Sequence, residues 1–250
     1  MAASPTVPAL ASLAAPLTDA ETLAAFDPAP GSAAARTAAH IDAHPLVGAL
    51  RADPRFVAAR PHLKIPAAMR ARNLTAGTLL ADDAIPAPPL TFATRDGSAL
   101  VAVYFLGDAL CGHPGIVHGG LLATLLDEGL ARCCFPALPT KVGVTASLKI
   151  DYRAPCRSGQ YVVLRAETTR VDGRKAWVRG WIETLPDPDP DELANGSSNG
   201  VLANGFANGE KRVNGVEKKE KEPVKLVEAE ALFVEPRGAS KMPRIYASEE

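Results

Sequence analysis

A chain of 250 residues with 47% hydrophobic content can bury a real core, and a formal net charge of −1 excludes a global attraction to nucleic acid or anionic lipid. No apolar run reaches the roughly 18 residues that span a bilayer. The four cysteines, Cys111, Cys133, Cys134 and Cys156, lack CxxC spacing and read as reduced thiols of a cytosol-like compartment.

Residues 1–35 are rich in Ala, Pro, Ser and Thr and are expected to lack a packed fold. They match neither a signal peptide nor a persuasive mitochondrial presequence, although the arginine-bearing sequence from Arg36 leaves an organelle address open beside the cytoplasmic one. Residues 36–89 read as a helical arm lying against the main domain, with Pro45 and Pro54 at first helical positions and Asp53 as a cap. Asn73-Leu74-Thr75 fits a glycosylation sequon but has no secretory route to support it.

From residue 90, two β-prone runs, LTFAT and ALVAVYFLGD, flank Asp96-Gly97, a strong hairpin signal. A leucine-rich helix beginning near Gly119 follows, then strand candidates at 141–152, 160–171 and 175–185 with short turn-forming connections, which predict an antiparallel meander. Residues 186–223 carry five Asn-Gly pairs and a charge run without flanking strands, and are expected to be a disordered insertion; a last strand resumes near 224, and 237–250 form a tail. The pattern is an α+β domain over 90–236, an antiparallel sheet wrapped around one long central helix.

Within GIVHGGLLATLLDEG, Leu122, Leu125, Leu126, Gly129 and Cys133 recur at helical spacing and form the buried stripe. Glu128 has Arg132 at i+4, as on a solvated face, whereas Asp127 has only Ala123, Thr124, Leu130 and Ala131 at the neighbouring helical positions. A carboxylate so poorly solvated suits a base. Gly119 and Gly120 let first-turn amides approach a ligand at the positive end of the helix dipole, as an oxyanion hole requires. Tight helix packing at the glycines and an Asp127 bonded to a buried backbone group would produce the same spacing.

GIVHGGLLATLLDE resembles the His-Gly-Gly signature of the hotdog-fold acyl-CoA thioesterases, of the phenylacetic-acid-pathway and thioesterase superfamily member type. GVTASLKIDYRAPCRSG and VDGRKAWVRGWI are similar to that family's later strands. The resemblance implies a homodimer or a dimer of dimers, its sheets joined edge to edge, with acyl-CoA between protomers and no metal or redox cofactor. It implies that the Gly119 amide binds the thioester carbonyl oxygen and that His118 shapes the turn. Asp127 of the other protomer would act as general base or nucleophile, and Thr145 would orient water. Nine helical residues span about 13 Å, too far for one helix to aim both groups at one carbonyl. Many relatives place Asn or Gln where this chain has Gly112, so either the adjacent His113 substitutes or the site is weakened. Thr145 also reads as a member of a solvent-facing row with Ser147, Lys149 and Asp151.

Arg153, Arg174 and Lys175 lie at strand ends or turns where a basic group could meet the phosphates of coenzyme A, and Gly120 and His113 complete the expected substrate contacts. Cys111, His113 and His118 fit no strong zinc spacing, and no G-x-S-x-G supports a serine nucleophile. The competing reading is a non-catalytic acyl-CoA-binding or interaction module on the same fold; a hotdog hydratase lacks its usual residue pairs.

Overall fold

The computed structural model describes residues 16–186 and 222–239. Thr18 and Glu21 form a capping box that opens helix α1 (Asp19–Ala24), the Glu21 carboxylate accepting the Thr18 N–H at 2.8 Å. Ser32 caps α2 (Ala33–Ala43), and His44 followed by Pro45 opens α3 (Pro45–Ala52). Residues 19–24 and 33–35 are therefore helical, contrary to the structureless segment expected there. The Thr-x-x-Glu spacing was the local signal, masked by alanine and proline in a composition reading. The arm is also not purely helical: β1 (Phe56–Ala59) joins the sheet before the single turn α4 (Ala67–Arg70).

The remaining strands are β2 (Leu90–Thr94), β3 (Ala99–Leu106), the short β4 (Cys111–His113) and β5 (Ile116–Val117), and, after helix α5 (Gly119–Cys134), β6 (Val144–Tyr152), β7 (Gln160–Asp172), β8 (Lys175–Thr184) and β9 (Lys225–Val234). Six of them join β1 in one antiparallel sheet of order β1-β2-β3-β7-β8-β9-β6, wrapped around α5. The simple meander is corrected in one connection: β6 does not pair with β7 but lies at the far edge beside β9. Residues 153–159, including Pro155, carry the chain across instead of turning it back, and β7 is left to pair with β3. The strands on either side of the 186–223 insertion do pair as a hairpin, β8 with β9; residues 187–221 lie outside the described residues.

The buried stripe of α5 is as the helical spacing predicts. Leu122, Leu125, Leu126, Gly129 and Cys133 all face the core, against Leu164, Ile182, Val227 and Phe233 among others. A second apolar cluster sits on the opposite face of the sheet, where Ile41, Leu46, Val47 and Leu50 of α2 and α3 cover Leu90, Phe92, Val101, Val103 and Val163. The arm thus covers the outer face of β2, β3 and β7 before turning round the β1 edge toward α5. All four cysteines are free thiols. Burial pushes the Cys133 thiol up to about 11, consistent with packing rather than reactivity.

Candidate functional site

The first turn of α5 is set by His118, whose Nδ1 accepts the Gly120 N–H at 2.9 Å while its carbonyl accepts the Leu121 N–H at 2.9 Å. The Gly120 amide is therefore committed to the cap. Gly119, one position earlier, has no intrahelical acceptor for its N–H. A Cβ at Gly119 would stand 3.2 Å from the Tyr152 ring, and the Tyr152 hydroxyl donates to the Gly119 carbonyl at 2.8 Å. Tyr152 was not singled out from sequence. Its place at the end of an alternating strand was the only available hint.

His118, Gly119, His113, Tyr152 and Arg153 line a groove of about 540 Å³ beside the helix start. Gly112 lines it too, and a Cβ there would lie 2.9 Å from the His118 ring. Gly112 thus lets the capping imidazole pack against the β4 backbone, and His113 reaches the groove beside it. No group of three or more His, Cys, Asp or Glu side chains able to hold a metal ion occurs among the described residues.

Asp127 lies half-buried two turns further along α5, and the Thr145 hydroxyl of the same chain donates to its Oδ1 at 2.7 Å. The solvent-facing row expected for Thr145 is corrected by a β-bulge between Thr145 and Ser147. Thr145 pairs with the fully buried Phe233, on the helix side of the sheet, whereas Ser147 pairs with Leu232, on the outer side. One inserted residue reverses the alternation, so Thr145 does not share a face with Ser147, Lys149 and Asp151.

The basic residues divide. Arg153 lines the groove, its Nε donating to Glu228 at 2.8 Å. Arg174 donates to the Glu235 carbonyl at 3.1 Å, and Lys175 pairs across β9 with the end of β6 that holds Thr145. Arg174 and Lys175 therefore sit at the Asp127 end of the sheet, away from the His118 groove of their own chain.

Glu128, expected on a solvated face, is instead covered by the arm. The buried Thr75 hydroxyl donates to both of its oxygens, at 2.8 and 3.0 Å, and the buried His62 ring approaches to 3.7 Å, with Arg132 at 3.9 Å. Burial pushes the Glu128 carboxyl up, but His62, Arg132 and Thr75 together hold it below the usual carboxylate range. Burial lowers the His62 pKa, and Glu128 only partly offsets this. Neither ring nitrogen of His62 has a hydrogen-bond partner among the described residues. Thr75 belongs to the sequon, and its burial, with Asn73 Oδ1 accepting the Ala76 N–H at 2.8 Å, closes that sequence to glycosylation.

This cluster is expected to make arm docking acid-labile. A histidine whose pKa is lower docked than released binds fewer protons when docked, so docking is fully stable above its released value of about 6.5 and weakens as pH falls below it. Glu128, also lowered, adds a loss in the same direction below about 4.5. Hydrogen exchange between pH 7 and 5, corrected for intrinsic rates, is expected to show residues 60–80 losing protection before β7 and β8. Unchanged protection ratios would contradict this.

An antiparallel sheet enclosing one long helix, with a histidine-capped Gly-Gly start and an aspartate two turns on, defines a hotdog-fold protein. Residues 114–187 match the family model of the thioesterase superfamily. A mitochondrial protein of Candida albicans is 41% identical over 110 residues, covering 44% of this chain and 49% of that protein. MIOREX complex component 3 of Saccharomyces cerevisiae is 32% identical over 173 residues, covering 69% and 60%. The rat acyl-coenzyme A thioesterase THEM4 is 32% identical over 96 residues, covering 38% and 40%. The chain spans between about half and two thirds of the length of four curated relatives it matches. A crystal structure of a thioesterase superfamily protein aligns at 26% identity over 59% of this chain and 53% of that one, with a TM-score of 0.39.

Proposed function

We propose that this protein hydrolyses an acyl-CoA thioester to the free acid and coenzyme A at a site shared between two protomers. The observation that carries the proposal is the position of two contacts on β6. Thr145 holds Asp127 near one end of the strand, and Tyr152 holds Gly119 at the other. β6 is an edge strand with an exposed start, open to pairing. Antiparallel pairing of two β6 strands about a twofold axis would set the Thr145 end of one against the Tyr152 end of its partner. Asp127 of one protomer would then face the Gly119 amide of the other, a meeting that about 12 Å of helix rise forbids within one chain.

In that arrangement the thioester oxygen accepts the Gly119 N–H, and the helix dipole favours the charge that develops on it. Asp127, its rotamer fixed by Thr145, takes the proton of the attacking water. The tetrahedral intermediate then expels the thiolate, which recovers that proton. Direct attack by the carboxylate, followed by hydrolysis of the anhydride, uses the same placement. Arg153 stands at the groove for a phosphate of the coenzyme, and Arg174 and Lys175 would approach the partner's groove by the same symmetry. The location printed for the Candida albicans relative supports a mitochondrial compartment over the cytoplasmic one.

Thiol release from acetyl-, decanoyl- and phenylacetyl-CoA tests the reading. Turnover of at least one is expected. Tight binding of a non-hydrolysable analogue with no thiol released from any of them would instead favour a binding module.

A further inference from the structure

A second groove, of about 310 Å³, opens on the other side of the same helix start, a size within the range of small-ligand sites. Leu74, Leu79, Ala109, Leu110, Cys111 and Leu121 line it, and no Asp, Glu, Lys or Arg among the described residues does. Leu74 and Leu79 come from the arm, at the ends of an irregular π-helical turn (Leu74–Thr78), a local geometry that often marks functional positions. The turn is anchored. Thr75 is buried against Glu128, Asn73 caps it, and a Cβ at Gly77 would collide with the Arg70 carbonyl. Leu74 is held at 52% exposure over the groove instead of joining the core.

His118 lines both grooves, Gly119 the first and Gly120 the second. A thioester has the same division: its carbonyl stands between a long, charged coenzyme arm and an apolar tail. The first groove adds Arg153 and His113 to the shared His118, while the second adds Leu74, Leu79, Leu110 and Leu121. We infer that the second groove takes the aliphatic tail of the acyl group, and that the N-terminal arm, through Leu74 and Leu79, sets chain-length selectivity. The anchoring of the turn by Thr75 and Glu128 makes this wall a fixed part of the site.

The inference rests on Gly119 marking the carbonyl, so binding and hydrolysis are measured separately on the full chain. For wild type, calorimetry with non-hydrolysable S-alkyl-CoA thioethers from ethyl to decyl is expected to show affinity rising up to about fourfold per methylene, the equivalent of ~0.8 kcal/mol per buried CH₂. Leu74→Trp, which fills the groove, is expected to flatten that rise and to lower the decanoyl-to-acetyl ratio of kcat/KM at least tenfold, chiefly through KM. Leu74→Ser, at the same exposed position, should reduce the slope without bulk and serves if the tryptophan variant misfolds. A slope that is flat in wild type, or unaltered by either substitution, would overturn the inference. A steep, Leu74-dependent slope without hydrolysis of any thioester would sink the hydrolase reading while upholding the groove.

Discussion

Asp127→Asn is expected to lower kcat for the best acyl-CoA substrate by between about 10² and 10⁴, the range of a positioned general base, with a much smaller change in KM. The replacement is nearly isosteric, and its amide oxygen can still accept the Thr145 hydroxyl that now meets Oδ1 at 2.7 Å. Asp127 makes no ion pair among the described residues, so neutralising it breaks none of the salt bridges that support the fold. Circular dichroism and sizing should therefore match wild type. Thr145→Val should act in the same direction but less, because it frees the carboxylate rotamer without removing the base. Wild-type turnover in Asp127→Asn would remove the carboxylate from the chemistry.

What the sequence could disclose about this site followed the range of the contacts involved. The helix start near Gly119, the apolar stripe from Leu122 to Cys133 and the Asp96-Gly97 turn are local patterns, and each is realised where its spacing places it. Thr145 was ambiguous because strand alternation presumes an unbroken ladder, and the bulge that moves it beside Asp127 has no glycine or proline to announce it. The crossing of β6 to the far edge was equally hidden, since a seven-residue connection is compatible with either pairing. Glu128 was misjudged for a different reason: its i+4 partner Arg132 is present, but a helix cannot report that Thr75 and His62, 53 and 66 residues upstream, cover the same face. Gly112 shows the reverse case, a glycine whose packing role becomes visible only as the 2.9 Å that a Cβ would leave to the His118 ring.

Mixed dimers should separate a shared site from a self-contained one. Gly119→Val places a branched side chain where even a Cβ would stand 3.2 Å from the Tyr152 ring, crowding the amide assigned to the thioester oxygen. Alone it is expected to be as inactive as Asp127→Asn. A heterodimer of the two variants has one site with both substitutions and one with neither, provided that Gly119 and Asp127 of each site come from different protomers. Equal co-expression with random assortment makes half the dimers mixed, so activity should recover to about a quarter of wild type per protomer, rising to about a half when heterodimers are isolated through two different affinity tags. A site built within one chain gives no such recovery, because every protomer then carries one defect. Restored thiol release in the doubly tagged fraction alone would tie the chemistry to the antiparallel meeting of two β6 edges; activity no greater than that of the separate variants would refute it, even if both residues proved essential.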